Sequence, residues 1–523
     1  MPDEQRQRIL VLCDASGPGL GGVPVFNEQI SVALAARGHD VTLLTVDQVR
    51  GGHEGVNLCT VQPCPENIEG RHWLEQQVTT QHPTDFGLPD PRQQSFDLII
   101  GHSRFSGPAA VAIRDTWYTE AKVTHFLHTS PERLPGFKYP DNPAKAATKA
   151  ARDSSIERVI MNRADVIVGV GPLLTDDARN LASTNPQVPT SHELVPGTRI
   201  EPLVQRAQQQ DGPLQLLALG RADDALKGFE DAAKAVQRLR EQGVEIHLTV
   251  RGVPDSEVPD LQERFTRLSG GNATVLPFSR DPDAIRNDIR QADAVIMPSK
   301  HEGFGLVATE ALGHGVPVLV NEDSGAARFL EDASRVAPQL GSPCVVAEPA
   351  NPAHRVKAWT AAIRRLHDEL PQRTEQATQL REVLKSYSWE HAATSLVQAS
   401  TTAPQPATGP SSAQQARATV QGPEGTVLLS NGPPEQPPKN RGAATSQTLT
   451  ATQTAATTQQ SQPTATTPQS PVARAAALSS RGRRGNNTTS PATQNTGNPQ
   501  QGPTVSPSRP QIPQPPKPQG PSH

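Results

Sequence analysis

Cysteine is scarce in this sequence: Cys13, Cys59, Cys64 and Cys344 are spread over 523 residues. Four scattered thiols are too few for a disulfide framework, and reduced thiols fit a cytosolic protein. Cys59 and Cys64 have no second pair or histidine cluster beside them to complete a zinc site. Long apolar runs are missing as well. No stretch approaches the roughly 20 apolar residues that span a bilayer. The opening MPDEQRQR carries acids ahead of a short apolar run that enters a glycine loop directly, which is not the pattern of a secretory leader. Nor does one sign of charge dominate, since 49 Lys and Arg face 53 Asp and Glu for a net -4. That balance leaves no electrostatic footprint for nucleic acid or an anionic membrane. These absences predict a soluble, cytoplasmic protein with no nucleic-acid partner, whose only membrane association would be peripheral.

Aromatic residues make up 3% of the chain, and none follows Thr402. Up to about Trp389 the composition is that of an ordinary globular protein. Beyond Thr402 it turns to Pro, Gln, Thr, Ser, Ala and Gly. Such a segment cannot bury enough apolar surface to offset chain entropy, so 401–523 reads as a disordered tail. RGRR at 481–484 is its densest charge cluster, and the tail is a tether or a docking segment for a protein partner. Asn486-Asn487-Thr488 matches a glycosylation sequon, which means little without a leader.

Apolar runs alternate with helical patterns over the rest of the chain, as in parallel α/β architecture. RILVLCD (8–14), VTLLTV (41–46), FDLIIGH (96–102), AKVTHFLH (121–128) and ADVIVGV (164–170) read as strands of a first unit. Several prolines between Val46 and Ser95 predict only short strands and loops there, and LVPGTRI (194–200) closes the unit. LQLLALG (214–220), EIHLTVRG (245–252), ATVLPF (273–278), ADAVIMPS (292–299) and VPVLVN (316–321) read as a second series. The expected organisation is two doubly wound domains, 1–200 and 201–400, with a helical end from Pro352 whose last helix crosses back.

Two glycine-bearing turns carry the chemistry. SGPGLGGVPVFNEQI (16–30) follows the first strand, and Gly17, Gly19 and Gly22 have the spacing of a dinucleotide-binding turn. Asp47, at the end of the second strand, would be the ribose ligand of that reading. Pro18 and Pro24 weaken it, because each removes a backbone donor. SKHEGFGLVATEALGHGVPVLVNEDSG (299–325) is the richer stretch. A strand ends at its PS and a helix begins near Gly305, so free amides at the helix start form an anion site. Gly303 and Gly305 let a ligand approach the backbone. Glu302 and Glu310 flank that site, where carboxylates suit neutral hydroxyls better than phosphate.

EGFGLVATEAL with GVPVLV after it closely resembles the E-x7-E signature of retaining glycosyltransferases of the GT-B fold. Within that fold the likeness is to the family 4 type, the glycogen-synthase-like and mannosyltransferase-like group. LALGRADDALKG (217–228) is similar to that group's G-R-x-x-x-x-K-G segment, one residue longer here, and RGHDVTLLT (37–45) to its N-terminal R-G-H-x-V-x-x-x-T. The resemblance covers most of 8–399 and implies two Rossmann-like domains facing across a cleft. It implies no cofactor and no metal; Asp281 and Asp283 read as a helix start. The donor it implies is a UDP-, GDP- or ADP-sugar, transferred with retention of configuration to an unidentified acceptor.

Carried over residue by residue, the resemblance has Arg221 and Lys227 gripping the diphosphate and Glu310 accepting from the ribose. Glu302 would contact the donor sugar. Gly303, Phe304, Gly305, Leu306 and Val307 would form the loop against the phosphates, with Gly21 and Gly22 approaching from the other wall. His128 matches a histidine near the reacting sugar. His102, Ser103 and His125 stand at neighbouring strand ends and are read as acceptor-side. Phe278 falls at the place of the base but reads as packing. Thr198 and Arg199 depart from the group's pattern, as does VGVGPLL at 168–174, which bears on hinge and acceptor. A non-catalytic sugar-nucleotide-binding scaffold and, further off, an NAD-dependent oxidoreductase are the competing readings.

Overall fold

The computed structural model describes residues 6–15, 21–46, 53–185, 187–203, 212–347, 349 and 351–403, with a backbone hairpin at 420–422 and 425–427. All belong to one compact unit, Met1–Pro437. Gly17, Pro18, Gly19, Asp47, the RGRR cluster and the Asn486 sequon lie outside the described residues.

Seven strands build the first sheet: β1 (Arg8–Cys13), β2 (Asp40–Thr45), β3 (Asn57–Thr60), β4 (Leu98–His102), β5 (Lys122–Leu127), β6 (Val166–Val170) and β7 (Thr190–Leu194). Their spatial order is β3-β2-β1-β4-β5-β6-β7, all parallel. Helices α1 (Gly22–Ala36), α2 (Gly70–Thr80), α3 (Ser103–Thr116), α4 (Leu134–Lys138), α5 (Pro143–Met161) and α6 (Pro172–Ala182) connect them. Six strands build the second sheet: β8 (Leu214–Leu219), β9 (Ile246–Val253), β10 (Ala273–Pro277), β11 (Ala294–Met297), β12 (Val318–Asn321) and β13 (Val345–Val346). Their order is β10-β9-β8-β11-β12-β13, again parallel. Around them run α7 (Phe229–Glu241), α8 (Val258–Leu268), α9 (Pro282–Gln291), α10 (Leu306–Gly313), α11 (Gly325–Glu331) and α12 (Pro338–Gly341). The long α13 (Pro352–Asp368), α14 (Leu370–Leu384) and α15 (Trp389–Thr402) follow. No helix among the described residues is long and apolar enough to cross a membrane.

The strands are continuous apolar runs because both faces of each sheet are covered. Ile9, Leu10, Val11 and Leu12 are all fully buried, as odd and even positions face opposite helical layers. In both sheets the strand order reverses beside one strand, between β1 and β4 and between β8 and β11. Loops leaving the carboxyl ends of such strands diverge to opposite faces and leave a crevice for a ligand. The two glycine-bearing turns follow β1 and β11, so topology alone brings them to crevice mouths.

The segment between Val46 and Ser95 differs from the sequence expectation. It holds α2, an 11-residue helix whose Leu74 and Val78 are buried one turn apart, with the helix packed on α3. Two apolar anchors among polar residues, bounded by prolines, give too weak a period to stand out.

Helix α15 packs on α1 and β7 of the first sheet. Trp389 meets the edge of Phe26, with ring centroids 5.4 Å apart. At its far end the Lys122 ammonium donates to the carbonyls of Ser400, Thr401 and Ala403 at 3.2, 3.0 and 2.7 Å. A cation satisfying the last carbonyls of a helix is the favourable charge arrangement for that end. The two chain segments that pass between the sheets touch each other. Thr198 N–H donates to Tyr387 O at 2.8 Å, and a Cβ on Gly197 would lie 2.3 Å from Trp389 N.

Candidate active site

At the carboxyl end of β8, Asp224 accepts from Leu226 N–H at 2.9 Å and starts a short 3-10 turn, Ala225–Lys227. Gly228 ends that turn at φ 68°, and a Cβ there would sit 2.0 Å from Pro298 O, so only glycine lets the turn lie against the end of β11. Lys300 N–H donates to Leu226 O at 2.8 Å and ties the two loops together. The Lys227 ammonium thereby reaches Glu302, donating to Oε2 at 2.8 Å. Burial alone would raise the Glu302 carboxyl. The charge and hydrogen bond of Lys227, helped by the Ser299 hydroxyl, overcome that and hold it below the usual carboxylate range. Arg221 stands beside this pair with a largely exposed guanidinium, bonded to Asp224 at 2.7 Å.

The EGFG turn is locked from three sides. Phe304 is buried, its ring filling the space that a Cβ on Gly171 would need. Gly325 N–H donates to Glu302 O and Ala326 N–H to Phe304 O. Gly305 adopts φ 101° and serves as the N-cap of α10 with no side-chain cap, leaving the first-turn amides of Leu306 and Val307 without intrahelical acceptors. Glu310 lies further along α10 and is exposed to the cleft. Desolvation by the surrounding walls pushes its carboxyl up to about 7.

Across from this turn, Gly21 has φ 112° and caps α1 without a side chain. A Cβ on Gly21 or Gly22 would meet no described residue within 4 Å. His128 ends the β5 strand run, half-buried, and its carbonyl lies against Gly303, where a Cβ would come within 2.4 Å. Burial, then His102 and His125, hold its imidazole well below the ordinary histidine range.

His102, Ser103 and His125 are not on an acceptor wall: all three are fully buried. His125 Nε2 bonds the equally buried Glu157 Oε2 at 2.8 Å, and Glu157 Oε1 accepts from Arg104 N–H at 2.9 Å. That set ties β5 to α3 and α5. His102 lies between Asn27 and His128. Ser103, at φ 42° the one positive-φ non-glycine among the described residues, accepts from His128 N–H at 2.9 Å. Phe278 also departs from its reading as packing, with 39% of its surface exposed after β10. Asp281 caps α9 by accepting from Asp283 N–H at 2.9 Å.

Sequence reading missed a junction on the other side of the EGFG turn. His301, 2% exposed, bonds Asp323 through Nδ1 at 3.1 Å. Arg133 pairs with the same carboxylate, and Phe137 stacks on the His301 ring at 5.4 Å and 4°. Arg133 and Phe137 belong to the loop and helix after β5, whereas His301 and Asp323 follow β11 and β12, so the two walls are clasped here.

The chain is similar over 402 residues to the D-inositol 3-phosphate glycosyltransferase of Corynebacterium diphtheriae, at 25% identity, covering 72% of this chain and 88% of the relative. It is 24% identical to a glycogen synthase of Mycobacterium tuberculosis over 72% of this chain and 90% of that one. Among solved structures, sucrose-phosphate synthase from Thermosynechococcus elongatus superposes with a TM-score of 0.57 at 20% identity, covering 75% of this chain and 98% of that chain. Anabaena HepE, in complex with UDP and glucose, gives a TM-score of 0.55 at 15% identity over 76% of this chain and all of that one. These superpositions give the GT-B fold. Residues 10–396 match the family described as family 4 glycosyltransferase in conflict systems, and the chain belongs to that family of sugar-transferring enzymes.

Proposed function

We propose that the cleft takes a nucleoside diphosphate sugar and transfers the sugar to an acceptor hydroxyl with retention of configuration. The observation that carries this reading is the Lys227–Glu302 pair set beside Arg221 and the open start of α10. Here a cation, a carboxylate and free amides converge at a strand-order reversal. Charge develops on the leaving diphosphate as the glycosidic bond breaks. Lys227, Arg221 and the amides of Leu306 and Val307 are arranged to stabilise that charge more in the transition state than before it. Glu302 accepts hydrogen bonds from the sugar, and Glu310 from the ribose. His128 and the Gly21–Gly22 backbone complete the opposite wall. In a same-face displacement the acceptor hydroxyl passes its proton to the departing phosphate oxygen, so no protein nucleophile is needed.

Thermal shift with UDP, GDP and ADP tests the reading. One diphosphate is expected to raise Tm by several degrees when present at about 100 times its Kd, and Lys227→Ala to abolish the rise. A response confined to NAD or FAD would sink it.

A pH dependence follows from Glu310. Its carboxyl is raised, so the ionised form that accepts from ribose hydroxyls is lost as pH falls through about 7. Donor KM is therefore expected to climb from pH 8 to pH 6. Glu310→Gln should flatten that climb and raise KM at pH 8 about tenfold, the value of a charge-assisted hydrogen bond. A wild-type KM constant across the range would remove Glu310 from the donor site.

A further inference from the structure

His128 has two ring nitrogens, and the residues behind it determine which one faces the cleft with a proton. Its Nε2 lies 2.9 Å from His102 Nδ1. The other nitrogen of His102, Nε2, lies 3.0 Å from Asn27 Oδ1. Asn27 and His102 are both fully buried, one on α1 and the other at the end of β4. Phe26 packs edge-on against His128 with centroids 4.9 Å apart, and Phe126 stacks beneath it at 5.9 Å and 24°. The ring is thus boxed, and among the described residues its Nδ1 has no hydrogen-bond partner.

With the Asn27 carboxamide oxygen turned toward His102, as it stands here, the protons along this row have one arrangement. The Asn27 carbonyl oxygen can only accept, so His102 must donate from Nε2. Burial lowers the His102 imidazole to about 3, leaving it one ring proton. Its Nδ1 therefore carries a lone pair, which needs a donor. Only His128 Nε2–H supplies one. The Ser103 hydroxyl holds the same residue by its backbone, accepting from His128 N–H at 2.9 Å while donating to Phe126 O at 3.3 Å. A serine kept in the left-handed region at this corner is local strain of about 1 kcal/mol or more, which persists where the surroundings fix it.

We propose that Asn27 and His102 are positioning residues that fix the proton of His128 on Nε2, so that Nδ1 is presented to the cleft as an acceptor for a hydroxyl of the transferred sugar. This rests on the reading of His128 as part of the donor wall. It goes further by assigning direction: His128 receives a hydrogen bond from the sugar and gives none. A donor bearing a hydroxyl at that position is selected over the corresponding deoxy sugar, because a buried acceptor left unpaired is costly.

The test is long-range 1H–15N correlation on the full chain labelled with 15N-histidine, with His128 assigned by its loss in His128→Gln. The expected wild-type spectrum has His128 protonated on Nε2. In His102→Phe, which keeps the ring packing, His128 should show mixed tautomers. Its kcat should fall about tenfold, the worth of a neutral hydrogen bond, with donor KM within about twofold and Tm lowered by the buried Asn27 oxygen left unpaired. Asn27→Leu should give the same mixing and serves if the phenylalanine variant does not fold. A wild-type proton on Nδ1, or a tautomer unmoved by both variants, overturns the proposal. If His128→Ala leaves kcat intact, the donor-wall reading of His128 fails, and the spectra still decide the relay.

Discussion

Alanine at Lys227 is expected to cut kcat/KM about a thousandfold, the cost of removing one preorganised donor from a developing charge. Most of that loss should fall in kcat, since the cation is needed more as the phosphate departs than when it binds. The variant also leaves Glu302 without the ammonium that holds its carboxyl low. Burial is then opposed only by the weaker effects of the Ser299 hydroxyl and His301, and Glu302 takes up a proton at a higher pH than in the wild type. The double variant Lys227→Ala/Glu302→Gln separates the two effects. It should recover thermal stability relative to Lys227→Ala and recover no activity. Steady-state kinetics beside a melting curve check both, and a double variant as active as wild type would remove Lys227 from the chemistry.

Gly303→Ala is expected to lower kcat about a hundredfold while the affinity for a free nucleoside diphosphate changes little. A methyl group at Gly303 would lie 2.4 Å from the His128 carbonyl and 3.0 Å from Leu174 Cδ1. The leucine tip can turn aside. The carbonyl cannot, because it continues β5, and the walls must part instead. Displacement by about 1 Å between reacting groups costs on the order of a hundredfold in rate. In the proposed reading the diphosphate contacts lie mostly on one wall, hence the split between kcat and binding. Gly136→Ala, on α4 near the same junction, has nothing within 4 Å of its new methyl and should behave as wild type. Equal damage from both substitutions would show that the glycine contact is not what matters.

That Lys227 and Glu302 meet was legible because their loops stand next to strands that were themselves legible. Arg221 and Lys227 follow an unbroken apolar run, as do Glu302 and the EGFG turn, and strand order converts that adjacency into a shared crevice. The clasp of Arg133 and Phe137 on Asp323 and His301 was not legible, since its partners are 190 residues apart and no local pattern marks them. His102 and His125 expose a different limit. A polar residue at a strand end can turn toward the cleft or into the layer behind it, and the sequence is the same in both cases. What decides is whether a partner waits inside. Here Asn27 and Glu157 do, 75 and 32 residues away. Helix α8 buries only Leu261 and Phe265, one turn apart, too few apolar positions to mark a helix between two strong strands.

The return of α15 to the first sheet has a consequence for synthesis. One edge of Phe26 on α1 is covered by Trp389, and the carbonyls that Lys122 satisfies belong to residues 400–403. A ribosome adding about 5–20 residues per second needs roughly 10–40 s to go from the end of β7 to that point. Through that interval the nascent first lobe has its sheet but not its last helix, and an apolar strip lies bare beside the His128 row. The amino-terminal half is thus the first to be made and the last to be finished, since its last helix comes from the end of the second lobe.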